Sequence, residues 1–97
     1  MGAIVIVDLP ASQEGKAALK SMLREALRDT RAFDGCLAAS LCVDRADDAL
    51  VTIVERWQTL DHYLRYDAWR TETGFMDQIG PLLGADPGER HLEEIDV

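Results

Sequence analysis

All the tryptophan and tyrosine of this 97-residue chain falls within one short run, Trp57, Tyr63, Tyr66 and Trp69, between Val54 and Arg70. Large rings with one polar edge are costly in water and awkward to bury, because their N–H and O–H groups need partners. Set beside His62 and Arg70, they mark a candidate pocket for a flat small molecule, with rings as walls and polar groups to orient it. Glu55 adds a group that can move a proton. It has the parity of Val51, Ile53 and Trp57 on a strand, so if that face meets helices its carboxylate enters an apolar layer and its pKa rises. Structural pairing of Glu55 with an arginine such as Arg70 is the competing expectation, since buried carboxylates are usually matched. His62 is a second acid–base candidate and reads equally well as a solvated helix residue. The candidate catalytic set is therefore Glu55, Tyr66 and His62, and the candidate substrate-binding set Trp57, Tyr63, Trp69 and Arg70.

Not all of these can face one ligand. On a continuous helix Tyr63, Tyr66 and Arg70 share a side, whereas Trp69 pairs with Tyr66 but points about 100° from Arg70. Tyr66 with Trp69 is the pair expected to line the pocket. The alternatives are that these rings pack a subunit contact and that Trp57 is a core plug rather than a wall.

The elements that must position these groups follow from patterning. Ala3–Leu9 is a β-branched run without polar alternation, which predicts a strand covered on both faces. Pro10 and Ser12 lead into a helix whose apolar positions Leu19, Met22, Leu23, Ala26, Leu27 and Thr30 keep three-and-four spacing, with Asp34-Gly35 ending it. Cys36–Val43 and Ala49–Trp57 flank the polar turn Asp44–Asp48 and should pair antiparallel. Thr59 predicts the cap of a second helix with Leu60, Tyr63, Leu64 and Ala68 on one face, and Gly74 a break in it. Phe75, Met76, Ile79, Leu82 and Leu83 continue the apolar stripe to Pro81 and Gly84. Ala85–Gly88 reads as a turn and His91–Val97 as a weak edge strand. The order is strand, helix, strand, strand, helix, strand, a ferredoxin-like α+β fold with a four-stranded antiparallel sheet. Helices would cover one face of that sheet only, and the apolar open face predicts a homodimer.

Ten Lys and Arg against eighteen Asp and Glu leave a net charge of −8. Such a field repels phosphate backbones and anionic membranes, so neither nucleic acid nor membrane is an expected partner. No apolar run approaches the roughly 20 residues needed to span a bilayer. Ile6 stands where an acylation signal at Met1-Gly2 would need Ser or Thr, and the expected location is the cytoplasm. Cys36 and Cys42, on one strand, would lie about 20 Å apart, too far for a disulfide, and read as two buried thiols. No metal-ligand spacing, phosphate-cradling glycine loop or nucleophile motif is present, so no metal or cofactor is expected.

The chain resembles the antibiotic biosynthesis monooxygenases, small domains of the dimeric α+β barrel superfamily. Residues 1–97 would form a single such domain. The resemblance rests on the apolar first strand, Phe33-Asp-Gly-Cys-Leu37, Val54-Glu-Arg-Trp57 and Leu82-Leu-Gly84. It implies a dimer with a ligand pocket between helices and sheet, and cofactor-independent oxidation of a small aromatic or quinone-type molecule. Many members carry a histidine where Tyr66 stands and a proline where Asp34 stands, and others use an asparagine, a residue this chain lacks. Two alternatives keep the fold: an isomerase of a small lactone or sugar-derived molecule, using the same carboxylate, and a non-catalytic dimeric binding module.

Overall fold

The computed structural model describes residues 2–96. Strand β1 (Ala3–Pro10) leads to helix α1 (Lys16–Ala32), the hairpin β2 (Cys36–Val43) and β3 (Leu50–Trp57), helix α2 (Leu60–Glu72), the short helix α3 (Phe75–Ile79), a 3₁₀ turn at Gly80–Leu82 and strand β4 (Gly88–Glu93). The sheet order is β2-β3-β1-β4 with every neighbouring pair antiparallel, the expected ferredoxin-like α+β arrangement.

Helix α1 buries Leu19, Leu23, Leu27 and Thr30, the stripe its spacing predicts. It starts later than Pro10 and Ser12 suggest, because Ser12 Oγ accepts the Gly15 N–H and the Ser12 N–H goes to Leu82 O, which holds that stretch as a turn. At its far end Arg31 donates through Nε and Nη2 to Ala39 O at 3.1 and 3.0 Å. A carbonyl of edge strand β2 is thereby covered by a cation, a common protection of a sheet edge. In the hairpin turn Asp44 Oδ2 accepts from the backbone N–H groups of Ala46 and Asp47, the local bonding for which Asp is favoured in turns.

The register assigns the two sheet faces. Toward the helices lie the rows Cys36, Trp57, Ala3, Glu93; Ala39, Glu55, Val5, His91; and Leu41, Ile53, Val7, Glu89. Between Cys36 and Ala38 the register of β2 shifts, a bulge that inserts one residue and inverts the alternation before it. Cys36 thus packs against the core while Cys42, of the same parity, is exposed; both are free thiols. The expectation of two buried thiols is corrected accordingly. Ile4, Ile6, Val54 and Leu92 lie on the other face, which no helix covers.

Two local expectations also change, and a third holds. Leu60 and Leu64 face outward, and α2 instead buries Tyr63, Tyr66 and Arg70. Gly74 does break the second helical region, with φ 76°, in the left-handed range that suits glycine. The last strand begins at Gly88 rather than His91 and ends at Glu93, its pairing with Asp8 at one end and Ala3 at the other being set by β1; Val97 lies outside the described residues. No helix among the described residues is long and apolar enough to cross a membrane.

Candidate functional site

Glu55 is 3% exposed on the helix-facing side of β3. Trp57, two residues along the same face and fully buried, donates its indole N–H to Glu55 Oε1 at 3.0 Å. That is the carboxylate's only hydrogen bond among the described side chains; no arginine pairs with it, contrary to the structural expectation. Burial pushes Glu55 up to about 7, with the negative charges of Glu89 and Asp67 adding to the effect and the Trp57 hydrogen bond and the Arg70 charge opposing it. A carboxyl poised there is half-ionised near neutrality, the condition in which one group can both take and return a proton.

Glu55 opens on a chamber of about 80 Å³ between sheet and helices, lined also by Val7, Leu9, Ile53, Tyr63, Tyr66, Asp67, Arg70, Glu89 and three residues of the α3 roof, Phe75, Met76 and Ile79. The helical triple Tyr63, Tyr66 and Arg70 therefore meets Glu55, as their shared side of α2 requires. Trp57, Trp69 and His62 do not line it. Trp57 is the plug that orients Glu55. Trp69 lies half-buried over Arg70, 4.8 Å from its guanidinium carbon, and against Phe33, on the far side of the cluster. His62 is held elsewhere: its Nδ1 lies 2.7 Å from Thr59 Oγ1, the α2 cap, and its ring sits over Gly35, where φ is 88°. It does not line the chamber.

Arg70 is 9% exposed. Its Nε donates to Tyr66 Oη at 2.8 Å and its Nη2 to Ala26 O and Thr30 Oγ1 at 2.8 and 3.3 Å. Its guanidinium also stands over the rings of Phe75 and Tyr66, at 4.5 and 5.3 Å. Among the described residues it forms no ion pair. A buried cation balanced only by neutral oxygens and π-faces favours an anion brought close to it.

Tyr66 Oη also lies 2.7 Å from Thr30 Oγ1. Burial raises its pKa against the opposing effects of Thr30 and Arg70, so the phenol stays neutral and fixed. Its candidate role narrows to wall and positioning group. Tyr66→Phe is expected to leave Thr30 and Arg70 each one partner short and to cost about 2 kcal/mol, read from urea unfolding. An unchanged midpoint would show the network to be dispensable.

Four members of the site escape sequence reasoning. Phe33, after α1, completes the aromatic cluster with centroid distances of 5.3 Å to Tyr66 and 6.3 Å to Trp57. Thr30 reads as a helix-face residue and proves to be the partner of Tyr66. Glu89 and His91 reach the site through the register of β4, and only the shared parity of Glu89, His91 and Glu93 hinted at a common face. Among the described residues no group of His, Cys, Asp and Glu has metal-binding geometry.

Comparison with known proteins places this geometry in a family. No curated protein matches the sequence. Among solved structures, a Deinococcus radiodurans protein whose name provisionally assigns it to the antibiotic biosynthesis monooxygenases is 26% identical, with a TM-score of 0.89 over 98% of this chain and 94% of that one. A Mycobacterium tuberculosis protein is 25% identical, with a TM-score of 0.76 over 100% and 98%. A Pseudomonas aeruginosa protein at 24% identity shares the fold, with a TM-score of 0.85 over 98% and 95%. The family model described as antibiotic biosynthesis monooxygenase matches residues 3–77, a span that carries Glu55, Trp57, Tyr63, Tyr66 and Arg70, and the chain belongs to that family.

Proposed function

We propose that the protein is a cofactor-independent monooxygenase of a small, acidic aromatic or quinone-type molecule, working as a homodimer. The observation that carries this reading is the meeting, in one chamber, of a buried carboxyl pushed up to about 7 and a buried arginine without an acidic partner. Glu55 takes a proton from an acidic C–H or O–H of the substrate, and Arg70 holds the developing oxyanion. The substrate anion reduces dioxygen and forms a C–O bond with it. Glu55 returns its proton to the peroxide, and loss of water leaves a new carbonyl. Neither a metal nor a flavin enters these steps. A second copy packed on the open face around Ile4, Ile6, Val54 and Leu92 would remove that apolar surface from water.

The test is oxygen uptake with a panel of anthrones and hydroquinones, with Glu55→Gln as the inactive control. No uptake from any of them would remove the oxygenase reading, and a monomer by light scattering at micromolar concentration would remove the dimer. The chamber is small beside ligand pockets of about 300 Å³ or more. That size favours, as the second reading, an isomerase moving a proton within a smaller molecule. Substrate-proton exchange into deuterated water without oxygen consumption would select it.

A further inference from the structure

We propose that Tyr63, Glu89 and His91 form a proton outlet that connects the Glu55 chamber with solvent. The inference rests on the reading of Glu55 as a base and extends it, because a buried carboxyl that carries a proton at rest must pass it to solvent before it can take one from a substrate.

The route is drawn by hydrogen bonds. Tyr63 Oη donates to Glu89 Oε1 at 2.7 Å, and Glu89 Oε2 lies 2.6 Å from His91 Nε2. Pairing of β4 with β1 sets Glu89 opposite Val7 and His91 opposite Val5, the residue that Glu55 faces from the other side. All three strands thus aim these groups at one layer. Tyr63 and Glu89 line the chamber together with Glu55. Tyr63 is buried, whereas the side chains of Glu89 and His91 are 41% and 36% exposed, so the chain runs from the dry interior to the surface.

Other polar groups of the chamber do not offer this path. Tyr66 is locked between Thr30 and Arg70, and a guanidinium does not release protons. Asp67, at the rim, makes no side-chain hydrogen bond among the described residues to any of the three. Burial, the bond to Glu89 and its charge hold the Tyr63 hydroxyl well above the usual phenol range. Tyr63 therefore conducts rather than stores charge: it passes its own proton to Glu89 Oε1 as its oxygen receives one from the chamber side. Glu89, protonated on Oε1, turns its carboxyl to hand that same proton to His91 Nε2, His91 releases it to water, and the Tyr63 hydroxyl and Glu89 carboxyl turn back. Each group ends as it began, one proton having moved outward.

The Trp57 indole N–H, bonded to Glu55, reports on this traffic without any substrate. Its hydrogen–deuterium exchange is followed by NMR, the signal being told from that of Trp69 with the Trp69→Phe variant. Tyr63→Phe and Glu89→Gln are each expected to slow exchange about tenfold or more, whereas Asp67→Asn is expected to leave it within about twofold. If the chain only satisfies a buried hydroxyl, the first two variants loosen the site and exchange accelerates. Acceleration or no change in either, or equal slowing in Asp67→Asn, would overturn the proposal. Absence of oxygen uptake alongside slowed exchange would instead remove the oxygenase and keep the outlet.

Discussion

Glu55→Gln is expected to give a protein that is more stable above neutrality and no longer transfers protons. In the folded chain the Glu55 carboxyl keeps its proton up to about 7, whereas unfolded it ionises around 4.5. Between those values the folded state binds more protons than the unfolded one, so the contribution of Glu55 is fully present below about 4.5 and is lost as pH rises through 7. The loss amounts to about 3 kcal/mol once both states are ionised. Glutamine keeps the shape and an oxygen for the Trp57 N–H and has no charge to desolvate. The variant should match the native protein near pH 4 and exceed it at pH 8 by about 15 °C in melting temperature. Melts across that range check the sign, and a difference independent of pH would show Glu55 to titrate as an ordinary carboxylate. Turnover of any substrate that needs a base should fall at least about 100-fold. A group that is a burden to the fold and a requirement of the reaction is the usual signature of a functional residue.

Arg70→Met is expected to leave stability within about 1 kcal/mol of native while weakening anion binding at least tenfold. Methionine fills much of the space between Tyr66, Trp69 and Phe75, and the desolvation cost of an unpaired cation disappears with the charge. Tyr66 and Thr30 still bond each other, and Thr30 Oγ1 still donates to Ala26 O. Arg70→Ala, by contrast, empties the same volume and should cost about 3 kcal/mol. Urea midpoints of the two variants, with tryptophan fluorescence titrations of a planar phenolate, separate packing from charge. Were methionine to destabilise as much as alanine, the charge itself would be supporting the fold and the anion-holding role would fall.

The periodicity of α1, the length of the hairpin turn and Thr59 as a cap were all readable because each depends on neighbours within a few residues. The shared face of Glu55 and Trp57 followed from parity, and the common side of Tyr63, Tyr66 and Arg70 from helical spacing. What parity does not reveal is a bulge, so Cys36 and Cys42 ended on different faces. Nor does it reveal the register of a polar edge strand, which carries Glu89 to the chamber and His91 against Tyr63 from more than thirty positions beyond Glu55. His62 shows the opposite case. Its neighbours in sequence are the aromatic residues of the site, yet a local bond to Thr59 and the close approach of Gly35 claim it for the start of the helix.

The narrowness of the chamber bears on the timing of binding. A space of about 80 Å³ is small for a bicyclic guest, whose entry is expected to require that the roof, α3 between Gly74 and Gly80, first lift. Association then waits on a motion of the empty protein. The observed binding rate should climb with ligand concentration only to a plateau, and the height of that plateau should be the same for ligands of very different affinity. Selectivity among guests would accordingly reside in how long each stays rather than in how fast it arrives.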